Sequence, residues 1–309
     1  MEKITYIPVV FCFDSNYSNH AATAIFSLFL NSRVPVKIYC IVPASDTKAI
    51  PAIHQIKDKF RIDISVISAE NEVFSTWKEV GNIARATYLR LLIPNLIKEA
   101  KVIYLDADVI VLSDLSELYA TPVDNIYIAG VVDPDGSKAS KVPREKNDVY
   151  INAGVLVMNL DGLRSDNFFQ HCQEIYSAYE EKITWCDQCV INKYAENRKT
   201  IIDPKWNRQI FSNNIKRNEW DDLISNSTSS IIHFVGGEKP WMEWCNPCIS
   251  EFWWGYAKKL NIEKFEPVKA SSIKQLISFA NVLDINEDHK RSGLIKNHII
   301  NTLLQQSRQ

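Results

Sequence analysis

No stretch of this chain reaches the eighteen or so consecutive apolar residues of a membrane-spanning helix, since charged or polar side chains interrupt every candidate run. The amino terminus, Met1-Glu2-Lys3-Ile4-Thr5-Tyr6-Ile7-Pro8-Val9-Val10, lacks a basic segment ahead of an apolar core and lacks a small-residue cleavage pattern. It reads as a first strand rather than a leader, and the expected location is cytoplasmic. An excess of one charge is missing too: the net charge is −2 and the pI about 6.3. That balance excludes the broad basic footprint of a nucleic-acid binder. The cysteines number seven, an odd count without a secretory signal, which points to reduced thiols. Two C-x-x-C pairs, Cys186/Cys189 and Cys245/Cys248, lie too far apart in sequence for a zinc ribbon and read as gap-filling free thiols. Internal repeats and low-complexity segments are also absent.

What is present is a chain of 309 residues with 46% hydrophobic content, enough to bury a substantial core without disulfides or metal. The first half alternates β-rich runs (4–13, 36–42, 62–67) with amphipathic ones (19–31, 46–60), the βαβαβ order of a largely parallel sheet with helices on both faces. Ligands of such sheets gather at the carboxyl ends of the strands. A helix is expected over 83–97, with Ala84, Tyr88, Leu91 and Leu92 at helical spacing and Pro94 disturbing its end. Further strands are expected at 126–132, 149–160 and 229–235. A polar loop from Asp133 to Asp148 is a candidate lid, and helices are expected from Asp161 to about Tyr179 and from Asp187 to Tyr194. The organisation expected is a catalytic domain over 1–260 and a helical, basic extension over 261–309. In that extension Leu294, Ile295, Ile299, Ile300, Leu303 and Leu304 form an apolar stripe beside Lys290, Arg291, Lys296 and His298. The stripe suits either an anionic membrane surface or packing on the body or a second subunit.

The most informative run is Val102-Ile103-Tyr104-Leu105-Asp106-Ala107-Asp108-Val109-Ile110-Val111. Side chains alternate along a strand, so Asp106 and Asp108 can share a side and offer hard oxygens to one divalent cation. A second Asp-X-Asp, Asp133-Pro134-Asp135 before Gly136, reads by itself as a surface turn. Three more polar segments stand next to expected strand ends or glycine turns. In Phe13-Asp14-Ser15-Asn16-Tyr17, Asp14 can bond a base edge, Asn16 a ribose hydroxyl, and Tyr17 can stack on a planar ring; an Asx turn is the alternative. In Asn152-Ala153-Gly154 the amide suits sugar hydroxyls and the small residues allow close approach, although Asn152 can equally be a satisfied core amide. In His233-Phe234-Val235-Gly236-Gly237-Glu238-Lys239-Pro240-Trp241, the imidazole can complete a metal site with the two acids. There the Gly236 turn can present N–H groups to phosphate and Lys239 can neutralise a diphosphate.

Taken together, the motifs Phe-Asp-Ser-Asn-Tyr, Tyr-Leu-Asp-Ala-Asp, Asn-Ala-Gly-Val-Leu, Asp-Gln and His-x-x-Gly-x-x-Lys-Pro-Trp stand in an order that resembles glycosyltransferase family 8 over roughly residues 4 to 255. The resemblance implies a GT-A fold, Rossmann-like α/β with a mainly parallel mixed sheet. It also implies a UDP-sugar donor, Mn2+ (or Mg2+), and retention of configuration. It assigns Asp106, Asp108 and His233 to the metal, Asp14, Asn16 and Tyr17 to uridine, and Gly236 and Lys239 to the diphosphate. Arg90, Asp133, Asn152, Ala153, Gly154, Asp187 and Gln188 fall around the donor sugar. Cys189 occupies a position that is often acidic in the family. The reaction expected is transfer of a hexose, galactose or glucose, to a glycan or lipid-linked glycan such as lipopolysaccharide. Lys239 joins the metal in stabilising the leaving group, and Asp187 and Gln188 stand at the reacting sugar. Gln188 is a poor nucleophile because its amide is neutral, which favours front-face attack over a covalent intermediate. A sugar-phosphate nucleotidyltransferase shares the acidic strand, but the glycine-rich basic loop it needs does not follow strand one. A non-catalytic UDP-sugar binder is the other alternative. For the acceptor wall, Phe74, Trp77 and the aromatic run 241–254 are candidates, with core packing the equal reading.

Overall fold

The computed structural model describes residues 5–69, 74–80, 84–213, 215–226, 228–263 and 265–306. The first residues of the expected runs 4–13 and 83–97, Ile4 and Ile83, lie outside the described residues. Ten strands occur among them: β1 Ile7–Cys12, β2 Val36–Pro43, β3 Asp63–Ala69, β4 Lys101–Leu105, β5 Val109–Val111, β6 Ile128–Val132, β7 Ile151–Asn159, β8 Lys199–Ile201, β9 Arg208–Ile210 and β10 Ile231–Phe234. Seven of them form one mixed sheet in the order β3-β2-β1-β4-β7-β6-β8. The pairs β3/β2, β2/β1, β1/β4 and β6/β8 are parallel, while β7 runs antiparallel to both β4 and β6. Every residue of β1 is buried, as a central strand covered on both faces requires, and its neighbours β2 and β4 are nearly so.

The chain divides into two compact units: residues 1–208 with 229–233, and residues 209–228 with 234–309. In the first unit the main core packs Tyr88, Tyr104, Leu156, Met158, Phe168 and Ile191 beneath the sheet. Phe74 and Trp77 belong to that core, with Trp77 stacked on Tyr176 at 3.8 Å between ring centroids, so they are packing residues and not an exposed acceptor wall. In the second unit Trp241, Trp253 and Trp254 are likewise buried, and Trp253 and Trp254 both meet Phe265. Its carboxyl-terminal part is helical, Ile273–Ile285 followed by His289–Gln306, with Phe279 and Leu283 packed against Trp244. All seven cysteines are buried and free.

Three expected elements differ. The helix expected over 83–97 is a 3-10 helix, Arg85–Leu92, followed by one α turn, Ile93–Leu96. The buried Arg90 side chain folds back onto the Thr87 carbonyl and hydroxyl, so a residue that periodicity would place outward is drawn inside. The helix expected from Asp161 to Tyr179 is two, Leu160–Ser165 and Phe168–Tyr179, broken where Asn167 takes a left-handed conformation (φ 49). The supposed loop 133–148 opens with a short helix, Pro134–Ala139, capped by the Asp133 carboxylate.

Candidate active site

Two antiparallel ladders brace the acidic run. On one side the β4/β7 register pairs Leu105 with Val155, and the next rung is the Asp106 N–H donating to the Gly154 carbonyl at 2.8 Å. On the other side β5 pairs with β10 so that His233 lies opposite Val109, the residue after Asp108. Asp106-Ala107-Asp108 is therefore the link between two strands held in different sheets, and the ladder itself delivers His233 to it. Among the described residues, Asp106, Asp108 and His233 each offer one ligand atom, and these atoms lie within 4.8 Å of one another. His233 Nε2 stands 3.2 Å from Asp108 Oδ1 and 3.8 Å from Asp106 Oδ2.

The acids are not equivalent. Asp106 Oδ1 accepts from the Tyr104 hydroxyl at 2.6 Å and from Arg90 Nη2 at 2.8 Å, which leaves Oδ2 facing the imidazole. Gly154 has to be glycine here, because a Cβ would come within 2.2 Å of His233 Cε1 and 2.8 Å of Asp106 Oδ2. His233 Nδ1 meets Asn207 Oδ1 at 2.9 Å. Two carboxylate oxygens and one imidazole nitrogen, close and partly shielded, form a donor set suited to a divalent first-row cation.

Arg90 ties this group to the next. Its guanidinium, 7% exposed, also bonds the Ala153 carbonyl at 2.6 Å and forms an ion pair from Nε to Asp187 Oδ2 at 2.7 Å. Burial opposes the Arg90 charge, but Asp106 and Asp187 outweigh it and raise its proton affinity. Asp187 is the second residue of the helix Cys186–Tyr194, and Thr87 Oγ1 donates to its Oδ1 at 2.6 Å. Burial pushes the Asp187 carboxyl up to about 6, against the pull of Arg90 and Thr87. The preceding residue, Cys186, holds a left-handed backbone (φ 44), strain of a kind that collects at functional sites.

The Asp133 carboxylate is buried, a correction to the surface-turn reading of its Asp-Pro-Asp segment. Its Oδ1 accepts from the Gly136 N–H at 2.7 Å, and its Oδ2 from Asn152 Nδ2 at 3.2 Å and Gln188 Nε2 at 3.0 Å. Gln188 Oε1 in turn accepts from the Ala153 N–H at 2.9 Å. Eight of the residues singled out in the sequence, Arg90, Asp106, Asp133, Asn152, Ala153, Gly154, Asp187 and Gln188, thus belong to one connected polar site. Thr87, Tyr104 and Asn207 join them without having been singled out. Thr87 and Tyr104 sit on apolar-looking segments, and Asn207 ends the short turn Pro204–Asn207, outside every motif read in the sequence.

Asp14 and Asn16 close a local turn, with the Asn16 N–H donating to Asp14 Oδ1 at 2.9 Å, which is the Asx geometry weighed for this segment. Burial, and then the charges of Asp108 and Asp106, push the Tyr17 hydroxyl well up, so a neutral phenol lies near the acids. In the second unit Gly236 adopts φ +84, the turn conformation that favours glycine, and Lys239 Nζ donates to the Phe234 carbonyl at 2.6 Å.

The sequence profile described as Glycosyl transferase family 8 matches residues 8–245. The chain belongs to glycosyltransferase family 8. Family membership makes it a glycosyl-transferring enzyme. General stress protein A of Bacillus subtilis strain 168 is 25% identical over 257 residues, covering 78% of this chain and 89% of that protein. The glycosyltransferase GlyA of Streptococcus pneumoniae serotype 4 is 24% identical over 248 residues, 80% of this chain, yet this chain spans only 34% of GlyA's length. Among solved structures, the galactosyltransferase LgtC in complex with donor and acceptor sugar analogues superposes with a TM-score of 0.72 at 21% identity, covering 83% of this chain and 97% of that one. GlyE of Streptococcus pneumoniae TIGR4 gives 0.60 at 24% identity, over 81% and 60%. These superpositions identify the fold of this family 8 member as GT-A. No described helix is long and apolar enough to cross a membrane.

Proposed function

We propose that this family 8 enzyme transfers a hexose, galactose or glucose, from a UDP-sugar to a hydroxyl of a surface glycan such as lipopolysaccharide, with retention and with Mn2+ as its metal. The observation that carries the reading is the convergence of Asp106, Asp108 and His233 within 4.8 Å. Those three residues would hold the ion, whose mixed oxygen and nitrogen donors suit Mn2+ better than Mg2+, an ion that favours all-oxygen octahedra. When bound, the ion supplies Lewis acidity to the diphosphate. Tyr17, Asp14 and Asn16 are assigned to the uridine, and Gly236 and Lys239 to the diphosphate, on their motifs. The buried Asp133, Asn152 and Arg90 and the half-buried Gln188 supply hydrogen-bonding groups suited to sugar hydroxyls.

Asp187 is a poor candidate for the nucleophile, since Thr87 engages one carboxylate oxygen, Arg90 the other, and its side chain is 4% exposed. This supports front-face attack: the acceptor oxygen bonds the anomeric carbon as the bond to UDP breaks, and the acceptor proton passes to the departing phosphate. Asp187→Ala should therefore lower kcat by at least tenfold without trapping a sugar adduct; a glycosylated Asp187 peptide in wild-type protein would reverse this assignment. The exposed Leu294, Ile300, Leu303 and Leu304, beside Lys290 and Arg291, support peripheral contact with an anionic inner-membrane surface and a lipid-linked acceptor.

The test is a donor screen by UDP release in Mn2+, with EDTA and Asp108→Asn as controls, followed by trials of the best donor on truncated lipopolysaccharide cores. Release that is slow to water, faster with acceptor and lost in both controls supports the reading. Pyrophosphate release from UTP and a sugar phosphate would identify a nucleotidyltransferase instead, and tight donor binding without turnover a sugar-nucleotide sensor.

A further inference from the structure

The hydrogen bonds around Gly154 have only one consistent set of directions. The Gly154 N–H is a fixed donor, and it points at Asn152 Oδ1 at 2.9 Å, so the Asn152 amide group must turn its Nδ2 toward Asp133. Asn152 Oδ1 also receives Asn207 Nδ2 at 2.9 Å, which leaves Asn207 Oδ1 facing His233 Nδ1 at 2.9 Å. An acceptor there requires the proton on Nδ1, and the lone pair of the neutral ring is then on Nε2, toward Asp106 and Asp108. Both asparagines are buried, Asn207 at 1% exposure, so solvent does not compete with these directions.

We infer that Asn207 is a positioning residue which, with Asn152, forms a buried amide relay from the Asp133 carboxylate to the metal-binding nitrogen of His233. The inference rests on the metal assignment proposed above for the Asp106/Asp108/His233 group. Every dipole in the relay points the same way. The Asp133 carboxylate polarises the Asn152 amide, that amide polarises Asn207, and Asn207 draws on the Nδ1–H, which raises the electron density available at Nε2. The short helical turn Pro204–Asn207, capped by Asp203 and joined to Ser230 through the Lys205 carbonyl, holds Asn207 beside β10. One consequence is that the same chain of amides runs from the residues assigned to the donor sugar to the residues assigned to the metal.

Two measurements test it. In metal-free protein labelled with 15N histidine, long-range 1H–15N spectra should show a proton on His233 Nδ1, held by Asn207 Oδ1, and Asn207→Ala should move it wholly or partly to Nε2, which stands 3.2 Å from Asp108 Oδ1. Mn2+ titrations followed by electron paramagnetic resonance should show the dissociation constant rising about 10- to 100-fold in Asn207→Ala. Asn207→Asp keeps an acceptor for Nδ1–H and loses the donor to Asn152, so it should hold Mn2+ at least as well as the alanine variant while weakening donor binding. A wild-type Nε2–H tautomer, or a tautomer and Mn2+ affinity unchanged in Asn207→Ala, would overturn the relay. Absence of Mn2+ binding in wild-type protein with the tautomer as stated would overturn the metal reading and leave the relay standing.

Discussion

Gly154 shows how one missing side chain can serve a site. A methyl group there would stand 2.2 Å from the imidazole of His233 and 2.8 Å from Asp106 Oδ2, so these side chains would have to shift. Gly154→Ala should weaken Mn2+ binding at least about tenfold by displacing a ligand, and should cost about 1–3 kcal/mol of stability through overpacking. Calorimetric metal titration and urea unfolding check the two effects separately. Asp187 contributes a pH dependence whose sign follows from its environment. Its folded carboxyl is raised to about 6 by burial, above its ordinary 3.8, so the stability it contributes is fully present below about pH 4 and is lost as pH rises through 6. Wild-type stability measured against Asp187→Asn should therefore fall between pH 4 and 6 and level off above. A difference that is flat above about pH 4 and falls only as pH drops below it would show the carboxyl to be depressed instead.

At the scale of elements, the short strands and turns need ties that regular packing cannot supply. The polar segment after Ala139 is fastened by Asp148, which accepts from Lys199 Nζ of β8 at 2.6 Å and from the Asn197 N–H at 2.9 Å. Both side chains of that ion pair are almost fully buried, and burial lowers the Lys199 ammonium from its ordinary range. Replacing Asp148 with Asn would leave a buried cation without its counter-charge, a change worth about 3–5 kcal/mol. A lower urea midpoint at unchanged slope is expected, with partial recovery in Asp148→Asn/Lys199→Met. Arg144 donates to the Ser137 hydroxyl at 2.9 Å and sits over the Tyr150 ring, so the same fastening reaches the helix that Asp133 caps.

For the whole molecule, the site has to be assembled by folding, and that would couple the proposed metal to stability. Asp106, Asp108 and His233 come together only through the β4/β7 and β5/β10 ladders, so an ion binding them binds the folded chain alone. Mn2+ at 100 times its dissociation constant should add about 2.7 kcal/mol. That should raise the melting temperature by roughly 4 °C, and the rise should disappear in Asp108→Asn. An EDTA-treated protein whose melting is indifferent to Mn2+ would remove the metal from the account. Much was legible beforehand. The alternation of short β-branched runs with amphipathic ones reports a layered α/β sheet because those periods are local properties of the backbone, and Asp106 and Asp108 stood out because two charges broke an apolar strand. The 3-10 winding of 85–92 was not legible, since Thr87 and Arg90 bond buried partners far along the chain, and the break at Asn167 was not legible because a single left-handed residue leaves the helical period on either side of it intact. The order of residues by itself determined the fold class, the family and the acidic pair. Only the tertiary structure decided that β7 runs antiparallel between β4 and β6, that Asp133 is buried, and that Asn207 stands behind His233, because hydrogen-bond partners separated by tens of residues are chosen by packing and leave no periodic trace in the chain.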